Sequence, residues 1–273
     1  MKLTFIITEQ FDNKRIRDFL NAYHVGKKTI YDYSLNKRLL LNGIPKHDMS
    51  LMNLGDKLEI VLEDNLTSIK PYNLNLDIVY EDDDLLVINK PEKLLIHSDG
   101  TGAFNLTDIV NYKYYQQGYR HQILPAHRID YETSGLVVFA KHFMALSFLS
   151  KLFEEKHADK YYIGLVSKPL REPKGVIDIP LDYEKRLNKM VESSKGKRAV
   201  TEYEVIGDNK VLIKIITGRT HQIRAHFSIM GSPIVGDPLY GMQKDRLYLH
   251  SYKITFVHPR TKEKVTFEKY PNF

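Results

Sequence analysis

An unbroken apolar run, Gly135-Leu136-Val137-Val138-Phe139-Ala140, predicts a strand buried on both faces and entered through the tight turn Thr133-Ser134-Gly135. Similar short runs recur along the chain. Leu76 to Tyr80 and Leu85 to Lys90 read as paired strands around the acidic turn 81–84, taken as solvated. In Lys160 to Val166, alternation sets Tyr161, Ile163 and Leu165 on one face and Tyr162 and Val166 on the other. Val211 to Thr217, Arg246 to Phe256 and Lys264 to Glu268 supply further strands. Helical spacing is rarer. It marks Thr107 to Tyr115, starting at a Thr cap, and Phe143 to His157, with Ala145, Phe148, Leu149, Leu152 and Phe153 near one face. A third helix follows Thr220, its expected N-cap, and stops at Gly231.

Many buried strands with few helices between them argue against regular βαβ alternation. The expectation is an α+β domain over residues 71–273, built on a large mixed, mostly antiparallel sheet. Residues 1–70 read as a separate small module. It has a short helix with Ile16, Phe19 and Leu20 on one face, a strand-turn-strand around Asn42-Gly43, and a last strand from Lys57 to Leu62. The stretch 64–75, with Ser, Pro and Asn and little periodicity, reads as the linker.

Candidate chemistry concentrates before the central strand, where His127, Arg128, Asp130 and Glu132 crowd the loop that feeds it. A loop fixed by a buried strand is a rigid support for a site. The competing reading is that Asp130 merely closes an Asx-type turn with Thr133 or Ser134. From Lys185 to Arg198, six basic residues face one acid, suiting either a phosphate-gripping loop or a solvated hairpin tip. The overall charge of +6 is compatible with a polyanionic partner. No cysteine is present, which removes disulfides, thiol catalysis and Cys-based zinc sites. His221 and His226 are five apart and so do not share a helical face; with no HExxH, no metal site is expected. No Gly-rich phosphate loop asks for a nucleotide cofactor, and no cofactor is expected. Lacking a spanning apolar run or a signal-peptide pattern, the chain is expected to be cytoplasmic, with no membrane partner.

The stretch HRIDYETSGLVVFAK, residues 127–141, resembles the HRLDxxTSGLLLFAK signature of the RluA-type pseudouridine synthases, which isomerise selected uridines in RNA. Further phrases agree in order: Lys90-Pro91 with His97, the K-Y phrase at Lys160-Tyr161, TGRTHQIRAH at 217–226, GSPIVGDPLYG at 231–241, and Leu249-His250. The phrases RIRDFL, LLLNGI and LGDKLEIVL resemble the small S4-type RNA-binding module that precedes such domains.

The resemblance implies a pseudouridine synthase catalytic domain acting on structured RNA, most simply large-subunit ribosomal RNA, with transfer RNA as a second possibility. It implies Asp130 as the carboxylate that attacks the ribose or the uracil, or removes the 2′ proton. It further implies Tyr161 as the tyrosine against the displaced base, and Arg219 as the cation beside Asp130. Arg128 would enter the stack vacated by the flipped uridine. His127, Thr133, His221, Gln222, Arg224 and Leu249 would complete the substrate site. A monomer is expected. Two other classes remain open: a base-hydrolysing enzyme using the same carboxylate, and an RNA-binding or ribosome-associated protein on the same scaffold.

Overall fold

The computed structural model describes residues 1–66, 69–72 and 74–273; residues 67, 68 and 73 of the expected linker lie outside the described residues. The small module comprises β1 (Lys2–Ile6), α1 (Ile16–Ala22), α2 (Lys27–Leu35), β2 (Leu39–Leu41), β3 (Ile44–Pro45) and β4 (Lys57–Val61). Its four strands run in the order β1-β4-β2-β3. Ile16, Phe19 and Leu20 are buried from α1, as their spacing predicts. Asn42 and Gly43, both with positive φ (52° and 78°), make the β2–β3 turn.

The larger domain continues with β5 (Ile78–Glu81), β6 (Leu85–Lys90), α3 (Leu106–Gln116), β7 (Leu124–Pro125), β8 (Ser134–Ala140), α4 (Phe143–Glu154) and β9 (Asp159–Leu165). Then come β10 (Lys174–Asp178), β11 (Leu181–Glu184), β12 (Lys189–Glu192), β13 (Val200–Gly207), β14 (Lys210–Ile215), α5 (Gln222–Ile229), β15 (Leu249–Val257) and β16 (Lys264–Glu268). Ten of these strands form one sheet with the path β10-β13-β14-β9-β15-β8-β6-β5, β16 lying on β15 and β7 on β8. β8 and β15 pair in parallel, whereas their other neighbours pair antiparallel. The architecture is α+β on a mixed, mostly antiparallel sheet.

All seven residues of β8 are buried. Val137 and Phe139 enter one apolar cluster with α3 and α5, while Leu136 and Val138 enter another beneath α4. Gly135 makes its parallel junction possible: φ is +115°, and a β-carbon there would stand 2.3 Å from the Ser251 carbonyl oxygen. The caps differ from expectation. Asn105, not Thr107, caps α3 by accepting the Asp108 N–H, while Thr107 donates to the Ile96 carbonyl. The residue before α5 is His221 in the left-handed conformation, not Thr220.

The acidic turn is not merely solvated. Asp84 is 1% exposed and accepts from His142 Nε2 and Arg260, whose side chain also reaches the Thr4 carbonyl and lies over the Phe5 ring. Asp82 accepts the amides of Asp84 and Leu85, and also pairs with His258. Adjacent acids here close a turn with one side chain and anchor the small module with another. Met144 of α4 joins the small module's apolar cluster, and Lys262 sits 4.0 and 3.9 Å from the Tyr23 and Phe148 ring centroids.

Burial opposes ionisation of Asp84, but His142 and Arg260 prevail and hold it below the usual carboxylate range. Its stabilisation is therefore present above about pH 4 and is lost as pH falls through the lowered folded value. Asp84→Ala should cost about 3 kcal/mol at neutral pH, because the half-buried Arg260 guanidinium loses its anion and the buried His142 Nε2 its partner. Urea unfolding measures it, and a cost below about 1 kcal/mol would show the network to be incidental.

Candidate active site

The loop between β7 and β8 is closed by its backbone, the Thr133 N–H donating to the Asp130 carbonyl at 3.2 Å. The Asp130 carboxylate is thus not used in the turn. Beneath the loop, the fully buried Lys90 donates to the carbonyls of Pro91, Leu94 and Tyr131 at 2.8, 2.9 and 3.1 Å. The last of these contacts fixes the peptide between Tyr131 and Glu132, one residue beyond Asp130. The carboxylate faces a cleft of about 390 Å³, within the size range of small-molecule pockets.

The cation beside it is Arg224 from α5, with Nη1 3.7 Å from the Asp130 carboxylate and 3.1 Å from that of Glu132. Arg224 is 1% exposed and is gripped through two nitrogens by Asp237, at 2.8 and 2.9 Å, with the Tyr240 ring against its guanidinium. Burial alone would lower its proton affinity; Asp237 above all, then Glu132 and Asp130, keep it raised and charged. The expectation for Arg219 is corrected. It lines the same cleft, but its Nε donates to the Arg198 carbonyl at 3.0 Å, and the ion pair to Asp130 belongs to Arg224. Helix α5 begins only at Gln222, so Arg219 remains on the preceding turn while Arg224 points inward.

The tyrosine is corrected as well. On β9 it is Tyr162 that lines the cleft with Asp130. Tyr161 turns to the opposite face, where Lys214 and Lys253 lie 5.4 and 6.0 Å from its ring centroid. Burial, and next the Asp130 charge, push the Tyr162 phenol well above its usual range, so it stays protonated at neutral pH. Tyr162→Ala should therefore cripple turnover, on the order of 10²-fold or more, whereas Tyr161→Ala should stay within a few-fold. Single-turnover rates compare them; a larger loss from Tyr161→Ala would reverse the assignment.

Arg128 is exposed at the cleft mouth, and Leu249, 2% exposed, lies on its floor. Thr133 lines the wall with a buried hydroxyl that has no hydrogen-bond partner among the described residues. His221 lines it too, with Nδ1 3.3 Å from the Tyr240 hydroxyl; burial lowers its proton affinity, although Asp130 opposes this. His127 is drawn into structure, its Nε2 accepting the Val138 N–H at 3.1 Å, and burial followed by the Lys160 charge push it down to about 3.

Gln222 is committed elsewhere. Its Oε1 accepts from Thr217 and the Arg219 N–H, and its Nε2 donates to the Val200 carbonyl and Thr201. It locks the turn into α5 and has no free group for a substrate. Two further histidines of these phrases lie apart: His226 contacts Thr201 and the Ile179 carbonyl, and His250 contacts Ser134 and the Lys269 carbonyl. Asp237, Tyr240 and Lys160 are not among the expected site residues, and Glu132, named among the charges of the loop, is given no role by the sequence. The GDPLYG phrase holds the first two, and only the fold shows that they grip Arg224.

A model of the RNA pseudouridylate synthase family matches residues 84–229, and a model described as the RluD ribosomal pseudouridine synthase N-terminal domain matches residues 3–58. The chain is 32% identical over 279 residues to the uncharacterized RNA pseudouridine synthase YhcT of Bacillus subtilis, covering 97% of this chain and 92% of that one. It is 33% identical over 265 residues to the ribosomal large subunit pseudouridine synthase D of Borreliella burgdorferi, covering 86% and 81% of the two. Among solved structures, human RNA pseudouridylate synthase domain containing 1 matches with a TM-score of 0.63 and 28% identity, over 75% of this chain and 87% of that one. Among the described residues, no helix is long and apolar enough to cross a membrane. On its family matches and its relatives, the chain belongs to the RNA pseudouridine synthases, a family of isomerases acting on RNA.

Proposed function

We propose that this chain converts specific uridines of large-subunit ribosomal RNA to pseudouridine, with Asp130 as nucleophile and the target base flipped into the cleft. The observation that carries the mechanism is the convergence of Asp130, Tyr162 and Arg224 from three separate elements on one cleft. Isomerisation must break the bond from ribose to N1, turn the base and join C5 to the sugar. An anionic oxygen at the reacting carbon and an apolar, aromatic wall for the turning base suit that sequence of events. The guanidinium of Arg224, 3.7 Å away, is the fixed cation that the carboxylate faces. The ring of Tyr162 serves as the wall on which the base turns; its phenol stays protonated, so the C5 proton passes to a water or to the Asp130 carboxylate once the sugar has left it. Unstacking the target costs a few kcal/mol, and in this reading the exposed Arg128 at the mouth fills the vacated stack.

Binding to a large folded RNA is supported by the surface around the cleft. A second depression shares Thr220 and His221 with it and runs under the β11–β12 hairpin, whose connection carries Lys185 and Arg186. On the small module, α2 exposes Lys27, Lys28 and Tyr31, a basic and aromatic face suited to phosphates and bases. The large-subunit target follows the name of the Borreliella burgdorferi relative. A pseudouridine map of cellular RNA with and without the gene tests it. One or more large-subunit sites should disappear; loss confined to transfer RNA would refute the target, and an unchanged map would refute the function.

A further inference from the structure

Past Asp130, the cleft extends towards the C-terminal end of α4, and this lobe is built differently from the end that holds Arg224. There the cation is saturated by three carboxylates. Here four cations, Arg128, Lys156, Lys160 and Arg219, line the wall, and besides Asp130 the one carboxylate in the cleft lining is Glu154, which lies 3.7 Å from Lys151. Lys160 is the central group. It is partly buried near the start of β9, and burial alone holds its amine below the usual lysine range, with no carboxylate countering. His127 beside it is neutral and supplies no counter-charge. A β-carbon at Gly218 would stand 3.7 Å from the Lys160 Nζ, so the missing side chain leaves the amine open.

A partly desolvated ammonium without an anion is costly, and several cations converging on one lobe call for an anion from outside. Lys160 and Tyr162 are two residues apart on β9 and share a face, which separates them by about 6.6 Å along the strand. That is about the distance from a pyrimidine ring to the phosphate of its own nucleotide. Resting on the reading of the cleft as a uridine site, we propose that this lobe binds a backbone phosphate of the target nucleotide, with Lys160 as its central ligand and Arg219 flanking it. The phosphate fixes the ribose against Asp130 while the base is free to turn on Tyr162.

Calorimetric titration of the full chain with uridine, 5′-UMP, 3′-UMP and inorganic phosphate tests this without any turnover. At least one monophosphate should bind roughly tenfold tighter than uridine and than phosphate alone. That advantage should persist in Lys160→Arg and vanish in Lys160→Met, which keeps the length of the side chain. An advantage that survives Lys160→Met, or no advantage in the unmodified chain, overturns the assignment. Inorganic phosphate binding as tightly as the nucleotides would make the lobe a free-anion site and overturn it too. Failure of the isomerase reading itself would appear separately, in the nucleoside products.

Discussion

Asp130→Asn is expected to stop pseudouridine formation while leaving the folded chain and its RNA affinity nearly unchanged. The amide keeps the size of the side chain, and the turn is closed by the Thr133 N–H on the Asp130 carbonyl, which the substitution does not touch. What is lost is the anionic oxygen, and removal of a nucleophile typically lowers the chemical step by about 10⁴-fold or more. Single-turnover measurement at saturating RNA, with reversion of Asn by deamidation excluded, isolates that step. The thermal transition should move little, since the carboxylate's ion pair to Arg224 is a 3.7 Å contact that Glu132 and Asp237 outcompete. Substantial product from Asp130→Asn would show that Asp130 is a spectator.

The second large effect separates the two arginines. Arg224→Lys should lower the rate by about 10²-fold or more, because one ammonium cannot grip Asp237 through two nitrogens and still face Asp130 and Glu132. Stability should fall as well, since Asp237, fully buried, loses half of its fork. Arg219→Lys should stay within about tenfold, its Nε contact being to a backbone carbonyl. The pair Asp130→Asn with Arg224→Lys should be far from additive in rate, as the two groups act as a unit. If Arg219→Lys proves the more damaging of the two single variants, the cation has been misplaced.

These two assignments show where the sequence stops being legible. The central strand, its charged loop, the mixed sheet and the small module could all be read from runs, turns and phrases, because each depends on residues close together in the chain. The choice between Tyr161 and Tyr162 could not. Alternation separates them correctly, but which face meets the cleft depends on β9 lying between β14 and β15, which is a matter of sheet order. The choice between Arg219 and Arg224 failed for a related reason. Both stand in one phrase, and the deciding partner, Asp237, lies 13 residues beyond Arg224. Gln222 looks like a ligand in the phrase, yet it bridges α5 to β13 across 22 residues. The acidic turn misled because four acids in a row read as solvent-facing, whereas Asp84 meets Arg260 only after the chain returns 176 residues later.

The most direct test of the central claim is analysis of the nucleosides released after the purified chain has acted on ribosomal RNA. Conversion should produce pseudouridine with no change in mass and no free uracil, and the Asp130→Asn chain should produce neither. Release of uracil with an abasic RNA would make the protein a base hydrolase. RNA that is bound but left unmodified by the unmodified chain would contradict the account altogether.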